Sequence, residues 1–282
     1  MQVWTRQFFA IFCLITLALP VLADEKVKKD NLGQVIDPAQ QYAECVKLVD
    51  NDPKEAFETA QIWGAKGGGA AARHCAALAL NAQKDYEGAA LELELMVDLL
   101  TDGDGPRPAD GLAQAANAWL LAGKLDKALE RIEEALILEP NDIVFIEDHI
   151  RILAAANQWQ SVVEEVEKAL TLVEDDADLY VRYAAALRHL NRLDEAKSAL
   201  AEAFILDGGS AAGLLEQGLL LERTGDPAAA KKAWQQTIDR FPDDLAAKAA
   251  AEYIERLENP ERFAPKSPPK KEPAADINTS KD

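Results

Sequence analysis

Three cysteines, of which Cys13 lies in the N-terminal apolar run, three histidines and a scatter of carboxylates and serines are the residues here whose types could do chemistry. Cys45 and Cys75 lie 30 residues apart. An even pair in an exported chain favours a disulfide, and without a C-x-x-C arrangement a thioredoxin-like redox role has no support. Two small buried thiols are the alternative. His74, His149 and His189 are widely separated, and no H-E-x-x-H or paired C-x-x-C accompanies them, so no zinc site is expected. Asp102-Gly103-Asp104-Gly105 resembles the start of a calcium loop but lacks the later ligands and the closing glutamate, and is read as a glycine-rich connection. Ser161, Ser198 and Ser210 have no G-x-S-x-G context. Gly67-Gly68-Gly69 follows no strand and so is a weak phosphate-loop signal. We therefore expect no catalysis, no metal and no cofactor.

What must position these residues is a repeat. Leu125, Trp159, Leu193 and Pro227 recur every 34 residues. The same frame aligns Gly123, Asn157, Asn191 and Gly225; Ala128, Val162, Ala196 and Ala230; Ile132, Val166, Leu200 and Trp234. Such a period, with small residues at fixed places, marks a helical solenoid. Within 109–142, Leu112, Ala115, Ala116 and Trp119 define one face of a first helix. Gly123 ends that helix, Asp126 can cap the second, and Pro140 stops it. Small residues at Ala116 and Ala128, and at Ala184 and Ala196, let the two helices of a hairpin cross closely.

These positions resemble the tetratricopeptide repeat pattern. The repeat 177–210 fits with Tyr180, Ala184, Leu187, Ala196, Leu200 and Ala203; 211–244 fits with Leu214, Gly218, Leu221, Ala230, Trp234 and Pro242. The repeat 143–176 is the loosest, with Ile150 and Val162 at the small positions and Glu174 at the proline. The resemblance implies an all-α, right-handed superhelical solenoid. We divide the chain into degenerate hairpins at 37–108, four repeats at 109–244 and a capping helix at 245–258. Polar residues such as Glu252, Glu255, Arg256 and Glu258 suit that terminal helix.

The ends read differently. Arg6, an apolar run from Phe8 to Leu19 and the small or aliphatic residues Val21-Leu22-Ala23 form a secretory signal over 1–23, cut before Asp24. Residues 24–36 are a charged, flexible lead-in, and the proline-rich segment 259–282 buries too little to order itself. The chain has 49 acidic against 30 basic residues, a net charge of −19, most of it on the helical body. That disfavours nucleic acid and anionic membrane as partners and suits a basic protein. No later stretch is apolar enough to span a membrane, so we expect a periplasmic protein.

The resemblance also implies where a partner binds, because first-helix side chains line the inner surface of such arrays. By position these include His74, Asp110, Asn117, Leu121, Val144, Glu147, Arg151, Asp178, Val181, Arg188, His189, Glu222 and Arg223. Arg151, Arg188 and Arg223 could take a carboxylate or chain terminus on their planar forks, with Asn117 holding peptide backbone. The alternative is that they pair with Glu147, Asp178 or Glu222. Ala113 stands where a lysine clamp would need a cation, so a chaperone-tail clamp is not expected. The implied function is a non-catalytic envelope scaffold or adaptor binding a protein or peptide; a periplasmic chaperone for an exported apoprotein and a regulator of a cell-wall enzyme are the alternatives. First helices of neighbouring repeats lie side by side in this family, which would also put Cys45 next to Cys75.

Overall fold

The computed structural model describes residues 37–100 and 107–263. The expected signal at 1–23, the expected lead-in at 24–36, the Asp102–Gly105 stretch and residues 264–282 of the expected tail lie outside them. The described residues form helices and turns, and the helices pack in consecutive pairs. The first two hairpins are α1 (Pro38–Asn51) with α2 (Pro53–Ala65) and α3 (Gly69–Ala82) with α4 (Tyr86–Val97). Then come α5 (Pro108–Leu121) with α6 (Leu125–Leu138), and α7 (Ile143–Ala155) with α8 (Trp159–Leu172). Next are α9 (Ala177–His189) with α10 (Leu193–Asp207), and α11 (Ala211–Arg223) with α12 (Pro227–Arg240). The helix α13 (Leu245–Glu258) closes the array, followed by one short turn of helix, α14 (Pro260–Phe263).

The 34-residue frame has a local cause. Leu125, Trp159, Leu193 and Pro227 are each the first residue of a second helix. Ahead of them, Gly123, Asn157, Asn191 and Gly225 all take left-handed backbone angles, with φ of 71°, 57°, 60° and 90°. Only glycine, and next to it asparagine, adopts that conformation at low cost, which is why these types recur there. The helix starts are mostly capped by side chains: Asp37, Asp52, Asp85, Asp142, Asp176, Ser210, Asp226 and Asp244 each accept a backbone N–H. Asp126 does not cap α6. Lys124 holds the cap position, and Asp126 falls inside the first turn, where its charge favours the positive end of the helix dipole instead.

The core runs along the hairpins. Ala116, Trp119, Ala128, Ile132 and Ala135 are fully buried between α5 and α6. Ala184, Leu187, Ala196 and Leu200 do the same between α9 and α10. In the loosest repeat Ile150 and Val162 are also buried; their bulk holds α7 and α8 less closely together than the alanines hold their neighbours. At the N-terminal end, Cys45 and Cys75 are joined by a disulfide, Cα–Cα 6.3 Å, amid Ala60 and Ala76. At the other end α13 lays Ala250 and Tyr253 against Trp234, the rings 5.3 Å apart. Order continues past Glu258, where the sequence placed the start of the tail. Asn259 ends α13, Pro260 starts the next turn, and Arg262 reaches back to Glu255.

Candidate functional site: the inner helix face

Side chains link first helices of neighbouring hairpins: α1 to α3 and α3 to α5, α5 to α7, and α9 to α11. At its start, the Tyr42 hydroxyl lies 2.6 Å from Nδ1 of His74, whose Nε2 lies 2.9 Å from Oε1 of Gln114. With a carbonyl oxygen as the acceptor, Nε2 carries the proton and Nδ1 accepts from the tyrosine. Burial raises the pKa of Tyr42, which keeps that hydroxyl a donor. Three helices are thereby tied together through one imidazole. Neither Tyr42 nor Gln114 stood out in the sequence, since each is an ordinary residue at a helix surface.

The second rung joins α5 to α7. Asn117 donates to Asp148 at 2.6 Å and accepts from Arg151 at 2.6 Å, while Arg151 also contacts the Asp148 carboxylate. So Asn117 and Arg151 are brought together, but around Asp148, which the sequence analysis did not select. Glu147 is half-buried on the same helix. Arg151 keeps half of its side chain exposed, so part of its fork still faces solvent with its charge already balanced.

The third rung departs most from expectation. Arg188 is buried against Glu216, with Nε to Oε1 at 2.5 Å and Nη2 to Oε2 at 3.2 Å. Its partner is thus none of Glu147, Asp178 or Glu222. Glu216 is itself buried, its side chain 7% exposed; burial pushes its pKa up against the opposing pull of Arg188. This two-pronged pair pins α9 to α11 and takes Arg188 out of the set available to a ligand. Val181 is also buried and does not line an open surface.

What remains open lies beside that pair. The His189 ring stacks on Trp159, 3.8 Å between centroids and 5° between planes. Its pKa is lowered by burial and then by the charges of Arg188 and Arg223, so it is neutral near pH 7 and its edge is exposed. Arg223 is exposed and donates to the side-chain oxygen of Asn191 at 3.2 Å. Among the described residues Arg223 has no carboxylate partner, unlike Arg151 and Arg188. Asn191 is the left-handed residue between α9 and α10, so the fold that turns the chain also orients the amide that steadies Arg223. The arrangement is an aromatic shelf, an imidazole edge and a guanidinium, which together can receive a planar anion.

Other sequence candidates sit elsewhere. His149 is largely buried, with Nδ1 3.7 Å from the Glu165 carboxylate. Ser198 donates to the Asp194 carbonyl, and Ser210 caps α11. Among the described residues no group of three or more histidine, cysteine and acidic side chains is placed to hold a metal ion, and no helix is long and apolar enough to cross a membrane.

Known structures share this architecture. No protein-family profile matches the chain. It is similar to the C-terminal part of a tetratricopeptide repeat-containing protein of Cytophaga hutchinsonii, at TM-score 0.56 and 14% identity, over 77% of this chain and 95% of that one. It is similar to pilF of Pseudomonas aeruginosa at TM-score 0.53 and 16% identity, over 76% and 98%. A thermophilic tetratricopeptide repeat protein of Thermus thermophilus matches at TM-score 0.52 and 16% identity, over 64% and 97%. The chain therefore has the tetratricopeptide repeat fold, a class of helical-hairpin solenoid.

Proposed function

We propose that this protein is a non-catalytic interaction scaffold of the cell envelope that binds a peptide or protein partner along its inner helix face. Arg223 and His189 receive an acidic group there, with Trp159 as the shelf. The observation that carries this is the contrast among three arginines. Arg151 and Arg188 are each matched to a carboxylate of the protein, whereas Arg223 faces solvent beside a neutral imidazole in a strongly acidic chain. An unmatched cation there attracts an anion that the rest of the surface repels. The bonded cysteines support an oxidising compartment, and hence export.

The test uses two fluorescent peptide libraries alike except at the terminus, one ending in a free carboxylate and one in an amide. Carboxylate peptides should bind the full chain, and Arg223→Glu should weaken them at least tenfold. Equal binding of both libraries, or an unaffected Arg223→Glu variant, overturns the anion-receiving role. Fractionation of cells expressing the full chain tests the location; recovery in the cytoplasm with free thiols would overturn it.

A further inference from the structure

On the outer side of the first two hairpins, four large apolar side chains stand in solvent. Leu91, Leu95 and Leu99 are 46%, 45% and 51% exposed, and Ile62 on the neighbouring α2 is 58% exposed. The three leucines follow one another at i, i+4 and i+8, so they form one stripe along α4 and the turn after it. Ile62 and Leu95 are the tenth residues of their helices, so they occupy matching places in adjacent hairpins. In the regular repeats the same place holds Glu134, Lys168, Glu202 and Gln236. The place of Leu91 holds Glu130, Glu164, Ser198 and Lys232. The place of Leu99 holds the exposed Leu138, Leu172 and Leu206 in three of the regular repeats, so what sets the first two hairpins apart is Leu91, Leu95 and Ile62.

Between α2 and α3, with Glu92 of α4 at its edge, runs a cleft of about 280 Å³, floored by Ala60, Gly64, Ala72 and Ala76 and crossed by the 2.8 Å ion pair of Arg73 with Glu92. Its walls are held fixed. The disulfide joins α1 to α3, and Gln83 donates to the Pro53 carbonyl at 3.1 Å, tying α3 to the start of α2. The margin is acidic: Glu58, Glu87 and Asp98 are all exposed. Lys124 stands 3.9 Å from Glu87, and Lys66 ends α2.

We infer that the outer face of α2 and α4 docks a basic amphipathic helix of another protein, whose apolar stripe lies over Leu91, Leu95 and Ile62 and whose lysines or arginines meet Glu58, Glu87 and Asp98. Charge selects this occupant. A second copy of the chain would set one acidic margin against another, and an anionic lipid surface would be repelled by it. A helix with its own i, i+4 apolar stripe matches the spacing of the leucines, and small residues in the floor admit its bulkier side chains. The surface is separate from the inner face, so it stands or falls independently of the proposed groove.

The experiment places a photo-crosslinking residue at Leu95 of the full chain in its native cells, and a second at Arg223 on the inner face. Crosslinked peptides are then sequenced by mass spectrometry. At position 95 the expected product is one segment of a different protein with apolar residues at helical spacing and net positive charge. That segment, made synthetically, should bind the purified chain and lose at least tenfold in affinity with Leu91→Ser/Leu95→Ser. It should also weaken with Glu87→Lys/Asp98→Lys, a variant that leaves every apolar contact in place. Absence of a crosslink at position 95 overturns the inference. So does a crosslink to a second copy, to lipid or to an acidic segment, or a synthetic segment that binds both variants unchanged. Failure at position 223 alone would bear only on the inner face.

Discussion

Gly218 and Trp234 are two halves of one packing decision. A methyl group on Gly218 would overlap Nε1 and Cδ1 of the indole and come within 2.7 Å of Cε2. Trp234 is fully buried and donates to the Leu215 carbonyl at 3.3 Å, so it has nowhere to go. The hairpin of α9 and α10 solves the same crossing with Ala184 and Leu200, a larger residue on one helix and a smaller one on the other. Gly218→Ala should therefore destabilise the chain by about 1–3 kcal/mol, as overpacking does. Adding Trp234→Leu should recover part of that loss. Thermal unfolding of the single and double variants checks it; strictly additive effects would refute the coupling.

The Arg188–Glu216 pair predicts an asymmetric mutational response. Arg188→Ala leaves a buried carboxylate without its counter-charge, and should cost about 3–5 kcal/mol. Arg188→Met with Glu216→Leu should cost much less. Because burial raises the Glu216 pKa, the folded chain holds a proton that the unfolded chain releases. Its contribution to stability is present below the unfolded carboxylate pKa and is lost as pH rises through the folded one. Glu216→Gln should remove that slope from denaturant titrations made across the mildly acidic range.

Tyr183 should ionise late. Its hydroxyl donates to Glu167 at 2.6 Å, and burial first, then that carboxylate, push its pKa up to about 12. Ultraviolet titration compared with Tyr183→Phe should show Tyr183 ionising near pH 12, and Glu167→Gln should bring it down. A Tyr183 that Glu167→Gln leaves unchanged would contradict the hydrogen bond.

Lys84 bears backbone strain. It has φ 63° and occupies the turn place held by Gly123, Asn157, Asn191 and Gly225 in the regular repeats. A lysine there meets the left-handed penalty that those residues avoid. Lys84→Gly should stabilise the chain by roughly 0.5–1 kcal/mol, the relief being partly offset by glycine's freedom in the unfolded state. Urea midpoints measure it, and a lower midpoint would count against strain.

The Cys45–Cys75 bond closes a separation of 30 residues. Cys45→Ala/Cys75→Ala should lose on the order of 3 kcal/mol, with the loss concentrated in the first two hairpins. Hydrogen exchange resolves that: protection should fall in α1 to α3 and hold in α9 to α12.

The sequence by itself determined the repeat. Its signals are local: an alanine where helices cross, a glycine or asparagine where the backbone turns left-handed, an aspartate or serine where a helix begins. Each acts within one hairpin, so a 34-residue period displays them all. Tertiary structure alone decided which charges are spoken for. Arg188 meets Glu216 across 28 residues, and Arg151 meets Asn117 across 34. Those partners come from neighbouring hairpins whose stacking no local pattern states. The same holds on the outer side. Leu91 and Leu95 in α4 and Ile62 in α2 are of the same apolar types as the core. The stacking of α2 on α1 and α3, and of α4 on α3 and α5, leaves them in water.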